Sequence, residues 1–235
     1  SRLNFLSIQK SNLEGGVNFA MTKENQKINN QNIFKFQIYR DLIKRFFDFL
    51  FSIIAIIILA IPMITIAILI KKSSPNEPVL FKQTRIGKNN IPFTIYKFRT
   101  MVGTAPHQLS TEKFTHPEEY VTSLGQKLRR TSLDELPQLF NVIKGEMSII
   151  GPRPLIPNET VVLKMRTELG ANKVLPGITG LAQVNGRDDL IGTKKAQIDA
   201  SYAQDVNILL DLIILMRTVV DVISGRGING GKSKG

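Results

Sequence analysis

The sequence predicts an α/β chain, mostly helical: a small globular domain with a membrane helix broken at a proline and amphipathic helices suited to a membrane interface. Three observations carry this. Residues 49–70 form 22 consecutive uncharged, mostly aliphatic positions. Pro62 lies inside that run, and basic pairs flank it, Lys44-Arg45 before and Lys71-Lys72 after. The rest of the chain mixes short β-like stretches, helical periodicity and Pro/Gly-rich joints.

Residues 1–37 are polar, with Asn and Gln clustered at 25–32, and are expected to be a disordered tail. Met21 offers a natural start, which makes residues 1–20 an upstream remnant in this reading. The first element is expected near Ile38, where Tyr39, Leu42, Ile43, Phe46 and Phe47 recur at helical spacing. It runs into the apolar segment, so residues 38–72 read as helix, break, helix. At ~1.5 Å per residue that segment is long enough to cross a bilayer. A proline inside it removes a helical hydrogen bond and clashes with the preceding turn. Positive flanks prefer the cytoplasmic side, and here both do. A kinked spanning helix satisfies the length; a re-entrant helix, entering and leaving on one face, satisfies both flanks and is the reading preferred.

Residues 73–227 read as the globular domain and 228–235 as a flexible Gly/Lys tail. Residues 79–81, 91–93 and 94–98 look like short strands, with Gly87-Lys88-Asn89-Asn90 as a turn. Residues 103–122 are loop-like. A helical region is expected at 123–145, a stiff Pro/Gly stretch at 150–157, a helix at 158–169, and a second Gly-rich stretch at 176–186. The last helix, near 205–224, is apolar but contains Asp211, Arg217 and Asp221. Each costs roughly 2.5–3.5 kcal/mol near mid-bilayer. It is therefore expected on the domain or at the interface rather than across the membrane.

The formal net charge is +12. Such an excess favours an anionic partner: nucleic acid, lipid head groups or phosphorylated substrates. Between Lys71 and Arg99 stand seven basic residues and one acid, Glu77, a surface suited to anionic head groups. There is no cysteine, which excludes disulfides and thiolate metal sites, and two histidines make a His-rich zinc site a poor expectation.

The segment from Leu128 to Phe140 is the most informative. Ser132 followed by Glu135 has the spacing of a capping box, which sets Asp134 and Glu135 in the first turn of a helix ending near Gly145. By spacing alone the acids need no further explanation, because they suit the helix dipole. Their neighbours suggest more. Arg129 and Arg130 lie one turn upstream, and Gly151-Pro152-Arg153-Pro154 displays an arginine from a stiff loop. A positive helix end with arginines can hold a diphosphate and would keep a carboxylate ionised. An ionised Asp can ligate Mg2+ or attack phosphorus. Neighbouring helical residues point ~100° apart, so the two acids should have different jobs.

Taken in order, the segments resemble the monotopic polyprenol-phosphate phosphoglycosyl transferases, the bacterial sugar transferases. They are Lys44-Arg45-Phe46-Phe47-Asp48, Phe81-Lys82-Gln83-Thr84-Arg85-Ile86-Gly87, Lys97-Phe98-Arg99-Thr100-Met101, Leu128 to Phe140, Met147 to Pro154, and Pro176 to Arg187. The resemblance covers about residues 40–227. It implies transfer of a sugar-1-phosphate from a UDP-sugar to polyprenyl (undecaprenyl) phosphate, with UMP released, as the first membrane step of glycan assembly. It further implies Mg2+ and a covalent phosphosugar-Asp intermediate. Carried over, Asp134 is the nucleophile and a metal ligand, and Glu135 its partner. Arg129, Arg153, Lys97, Arg99, Gln183 and Arg187 bind phosphates or substrate. The membrane helix bends at the proline matching Pro62, with the domain on the cytoplasmic face of the bacterial inner membrane. Many members place Ser before that proline; here it is Ile61, which withholds one hydroxyl from the freed backbone. Residues 186–205 are expected to shape the choice of sugar or to form a solvated loop. The implied partners are the UDP-sugar, the lipid phosphate and the bilayer; the oligomeric state, a homo-oligomer included, stays open. The rival readings are a membrane-anchored nucleic-acid binder and a scaffold without catalysis. No nucleic-acid-binding motif is present, so no nucleic-acid partner is expected.

Overall fold

The computed structural model describes residues 38–105, 117–186 and 192–224. The tails expected at 1–37 and 228–235, the start at Met21, and Arg187 lie outside them. A π-helical turn, Tyr39–Ile43, leads into the long helix α1, Lys44–Ser73. Its assignment runs unbroken through Pro62, so the expected interruption between two helices is not there. Only one N–H is lost, and flanking bonds hold the ladder together. The Thr65 hydroxyl donates to the Ile61 carbonyl at 2.9 Å, so a hydroxyl does reach this backbone, from the turn after the proline rather than before it. Such back-bonding bends helices.

α1 lies on the domain along one face, with partly buried Leu59 packing on the cluster of Met63, Ile66 and Ile70 between its two buried stretches. Near its start Asp48 and Ser52 are buried, and near its end Met63, Ile66 and Ile70. Between them Ile54, Ile57, Ile58 and Ile61 are exposed. Among the described residues, the helix Tyr39–Ser73 alone has the length and composition to cross a membrane.

Strands β1 (Leu80–Ile86) and β2 (Pro92–Phe98) form an antiparallel hairpin in the register Leu80↔Phe98, Gln83↔Ile95 and Ile86↔Pro92. The turn is a short 3-10 segment, Lys88–Asn90, in which Asn89 and Asn90 take positive φ, a conformation Asn tolerates better than most residues. Helix α2, Ser123–Arg130, is capped by Thr122, whose side chain accepts from the Gly125 N–H at 2.9 Å. A 3-10 turn, Leu133–Glu135, and helix α3, Gln138–Lys144, follow.

That region corrects the expectation of a capped helix. Ser132 sits at φ 56°, with no capping bond from its side chain. The acids occupy an isolated 3-10 turn between two helices, not a helical first turn. Two local causes combine: the Thr131 hydroxyl bonds back to the carbonyls of Lys127 and Leu128, and Pro137 has no N–H to continue a ladder.

Two three-residue strands, β3 (Ser148–Ile150) and β4 (Gly177–Thr179), pair in parallel. Helices α4 (Thr160–Glu168), α5 (Leu181–Val184), α6 (Gly192–Gln204) and α7 (Ile208–Ser224) complete the described chain. The loop reading of residues 186–205 is corrected by α6, which buries Ala196, Asp199, Ala200 and Ala203.

Three apolar clusters form the core. Met63, Ile66 and Ile70 of α1 pack with Phe98 and Leu128. Phe93, Ile95, Val142 and Met147 join the hairpin to α3. Ile150, Val174, Tyr202, Val206 and Ile214 join β3 to α6 and α7. α7 docks through Ile214 and Asp211, which accepts from Lys44 (2.9 Å), Tyr39 (2.8 Å) and Tyr202 (2.7 Å). Its other side leaves Leu209, Leu212, Met216, Val220 and Ile223 exposed. The acid that seemed too costly for a membrane helix is thus the residue that fastens α7 to the domain.

Candidate active site

The 3-10 turn, the hairpin strands β1 and β2, the loop after β3, and β4 converge on one cleft. Leu133 and Leu136, on either side of the acids, pack against the Met63-Ile66-Ile70 cluster. The turn carrying Asp134 and Glu135 is therefore anchored on the membrane helix. α3 is locked to β2 by Asn141, which is fully buried. Its amide donates to the Thr94 carbonyl at 2.7 Å and its oxygen accepts from the Tyr96 N–H at 3.1 Å. A side chain thus replaces the missing neighbouring strand and sets Lys97, the next residue of β2, against the turn.

Lys97 reaches Glu135 at 2.6 Å. Asp134 is 8% exposed, and burial pushes its carboxyl above the usual range. Lys97 and then Arg129 pull it back, while Glu135 pushes it further up. The expectation that the arginines would simply hold this acid low is corrected: desolvation outweighs the cations. Arg129, in the last turn of α2, donates to the Thr100 hydroxyl at 2.9 Å, and burial lowers its own pKa.

The Gly151-Pro152-Arg153-Pro154 loop is pinned along its length. Gly151 N–H donates to the Thr179 carbonyl (2.8 Å) and Gly177 N–H to that of Pro152 (2.9 Å). Buried Arg166, ion-paired with Asp199, donates to the Arg153 carbonyl at 2.7 Å. Arg85 donates to the Pro154 carbonyl at 3.1 Å. The two Gly-rich loops touch backbone to backbone, and a Cβ on Gly180 would stand 2.0 Å from the Gly151 oxygen. The Arg153 side chain is left exposed at the cleft. The cleft is lined by Arg85, Lys97, Glu135, Gln138, Arg153 and Ile178.

The profile of the bacterial sugar transferases matches residues 39–225. The chain belongs to the bacterial sugar transferase family. A Bacillus subtilis relative named as an uncharacterized sugar transferase, EpsL, is 39% identical over 80% of this chain and 90% of its own. The exopolysaccharide production protein ExoY of Sinorhizobium fredii is 36% identical over 78% of this chain and 87% of its own. The UDP-glucose:undecaprenyl-phosphate glucose-1-phosphate transferase of Escherichia coli is 37% identical over 76% of this chain, which spans 39% of that longer protein.

In this sugar transferase the expected site residues separate into two groups. Lys97, Glu135 and Arg153 line the cleft, and Asp134 and Arg129 are tied to it electrostatically. Arg99 turns elsewhere, donating to the Pro78 carbonyl at 2.8 Å and facing Glu77 at 3.7 Å. Gln183 lies behind the wall: its amide donates to the Ile178 carbonyl at 3.3 Å, and its buried oxygen has no partner among the described residues. Sequence reading passed over Arg85, Gln138 and Asn141 as site residues. Arg85 did leave a signal, a cation on the inward row Phe81, Gln83, Arg85 of an alternating strand.

Among the described residues no group of three or more potential acid or histidine ligands gathers, so a metal held by protein alone has no cage here. Mg2+ commonly takes one or two carboxylates and completes its shell with phosphate oxygens and water. The hard oxygen donors of Asp134 and Glu135 fit that chemistry.

Proposed function

We propose that this chain transfers a sugar-1-phosphate from a UDP-sugar to polyprenyl (undecaprenyl) phosphate, through a covalent intermediate on Asp134. The observation that carries the reading is the pairing of a buried, desolvated Asp134 with Lys97, Glu135 and the cationic wall of one cleft. The printed activity of the Escherichia coli relative supports it.

In the first displacement an Asp134 carboxylate oxygen attacks the sugar-bearing phosphorus. An acyl phosphate O–P bond forms, and the diphosphate P–O bond breaks with its electron pair leaving on UMP. In the second, an oxygen of the lipid phosphate attacks the same phosphorus. The acyl phosphate bond breaks, the carboxylate is regenerated, and a polyprenyl diphosphate sugar departs. Splitting the reaction in this way suits a site that must hold anions against one another. Glu135 keeps Lys97 close to Asp134, and the arginines offset phosphate charge. Asp134 and Glu135 would hold Mg2+, which when bound supplies further charge neutralisation at the phosphates.

The basic pairs at both flanks of α1, and its packing on one domain from Asp48 to Ile70, support a continuous but re-entrant α1 on the cytoplasmic face of the bacterial inner membrane. A straight run from Asp48 to Ile70 would be about 33 Å long at the usual rise. One domain holding the helix along that length fits a segment kept on a single side of the membrane. The exposed apolar side of α7 suits the same interface.

The test is UMP release by the full chain from a panel of UDP-sugars, with Mg2+ and polyprenyl phosphate in detergent or nanodiscs. Release from at least one donor, dependent on the lipid phosphate for turnover, is expected. No release from any donor, with salt-sensitive DNA binding instead, would favour the nucleic-acid reading.

A further inference from the structure

We propose that Arg85 forms, with Arg153, a paired-guanidinium site for a phosphate group on the wall of the cleft. This deepens the proposed function and rests on that cleft being where phosphates react. Arg85 lies on the inward row of β1, and both arginines line the cleft.

The bonding of Arg85 is the first argument. Arginine offers five N–H donors and a permanent charge. Here one guanidinium nitrogen donates to the Pro154 carbonyl at 3.1 Å and another to the Gln83 side-chain oxygen at 2.6 Å. Both acceptors are neutral. Nε is buried with no partner, and among the described residues no carboxylate ion-pairs with Arg85. Arg166 offers a contrast within the same molecule. It too holds a carbonyl of this loop, but a buried Asp199 neutralises it. Pinning a loop therefore does not require a cation left without a counter-ion, and Arg85 is such a cation.

The second argument is the neighbour. Burial, and then the like charge of Arg153, push Arg85 down to about 10; Glu159 and Glu135 offset this only in part. Two guanidiniums facing one cleft, one of them desolvated, are an arrangement that an anion relieves. The planar fork of arginine matches phosphate oxygens two at a time. A phosphate could come from the nucleotide donor or from the lipid acceptor, and the chemistry is the same for both.

The experiment uses the full chain in nanodiscs, with Arg85→Lys and Arg85→Gln. Affinities for pyrophosphate, UMP and polyprenyl phosphate are measured by calorimetry, alongside ligand-free thermal midpoints. Arg85→Lys keeps the charge but loses the fork. It should weaken at least one probe by about tenfold or more, the scale of losing a charge-assisted bond, with its midpoint within about 3 °C of the parent. Loss confined to UMP and pyrophosphate assigns the donor phosphate; loss confined to polyprenyl phosphate assigns the acceptor. Parent-like binding of all three probes by Arg85→Lys overturns the site, whether or not Arg85→Gln folds. A parent protein that binds pyrophosphate through Arg85 yet releases no UMP from any UDP-sugar would instead refute the proposed function and leave the site standing.

Discussion

Asp134 is held in an electrostatic conflict that costs the fold stability. Burial raises its pKa, Lys97 and Arg129 oppose this, and Glu135 adds to it. An acid whose folded pKa is raised destabilises the native state wherever it is charged, above the raised value. That penalty fades as pH falls through the window down to the unfolded value of about 3.9. Asp134→Asn should therefore abolish UMP release, by roughly a thousandfold or more. It should also raise the thermal midpoint of the ligand-free protein at neutral pH, an advantage that shrinks in acid. An Asn variant with near-parental turnover would remove Asp134 from the nucleophile role. Lys97 is the largest influence holding this acid down. In Lys97→Met the acid limb of the pH-rate profile should move to higher pH, because a carboxylate must be ionised to attack. An unmoved limb would show that Lys97 serves only Glu135. At this scale the sequence revealed the acids and their arginines but not the lysine pairing, since a residue on a strand and one on a turn meet only once Asn141 has fixed strand to helix.

Elements decide how firmly the cleft is held. The loops after β3 and β4 meet at glycines, where a Cβ on Gly180 would come 2.0 Å from the Gly151 carbonyl oxygen. Backbone cannot yield there cheaply, so Gly180→Ala should cost about 1–3 kcal/mol and displace the Arg153 loop, lowering turnover beyond what the stability loss explains. Circular dichroism melts beside UMP-release rates would check both parts. The start of α1 is tied to β3 in a different way: Asp48 accepts from the Ser148 hydroxyl at 2.7 Å and the Ile149 N–H at 3.0 Å. Asp48→Ala leaves the part-buried Ile149 N–H without its acceptor, at a cost of about 1–2 kcal/mol, read as a lowered denaturation midpoint. The hairpin, α4 and α7 were legible from periodicity and turn residues. The parallel pair β3 and β4 was not, because three-residue strands carry no period. The capping-box spacing misled, because Ser132 takes a left-handed conformation that the spacing does not reveal.

The molecule as a whole is organised around a helix long and apolar enough to cross a membrane and packed against the domain that carries the cleft. Its end packs under the turn that bears Asp134, and its start is fastened to α7 through Lys44 and Asp211 and to β3 through Asp48. The sequence made the length, the proline and the two positive ends visible, but contacts between residues a hundred positions apart leave no local trace. Those contacts give the topology a sharper argument than flank charge alone. If α1 crossed the bilayer, part of its buried face would have to leave the domain, uncovering Asp48 and Ser52 or Met63, Ile66 and Ile70. The chain has no cysteine, so single cysteines can be placed at Leu42, 69% exposed, and at exposed Lys72. An impermeant maleimide added to sealed vesicles of known orientation should label both positions from the same, cytoplasmic side. Labelling from opposite sides would establish a spanning helix and require the packing at one end to be abandoned in the membrane.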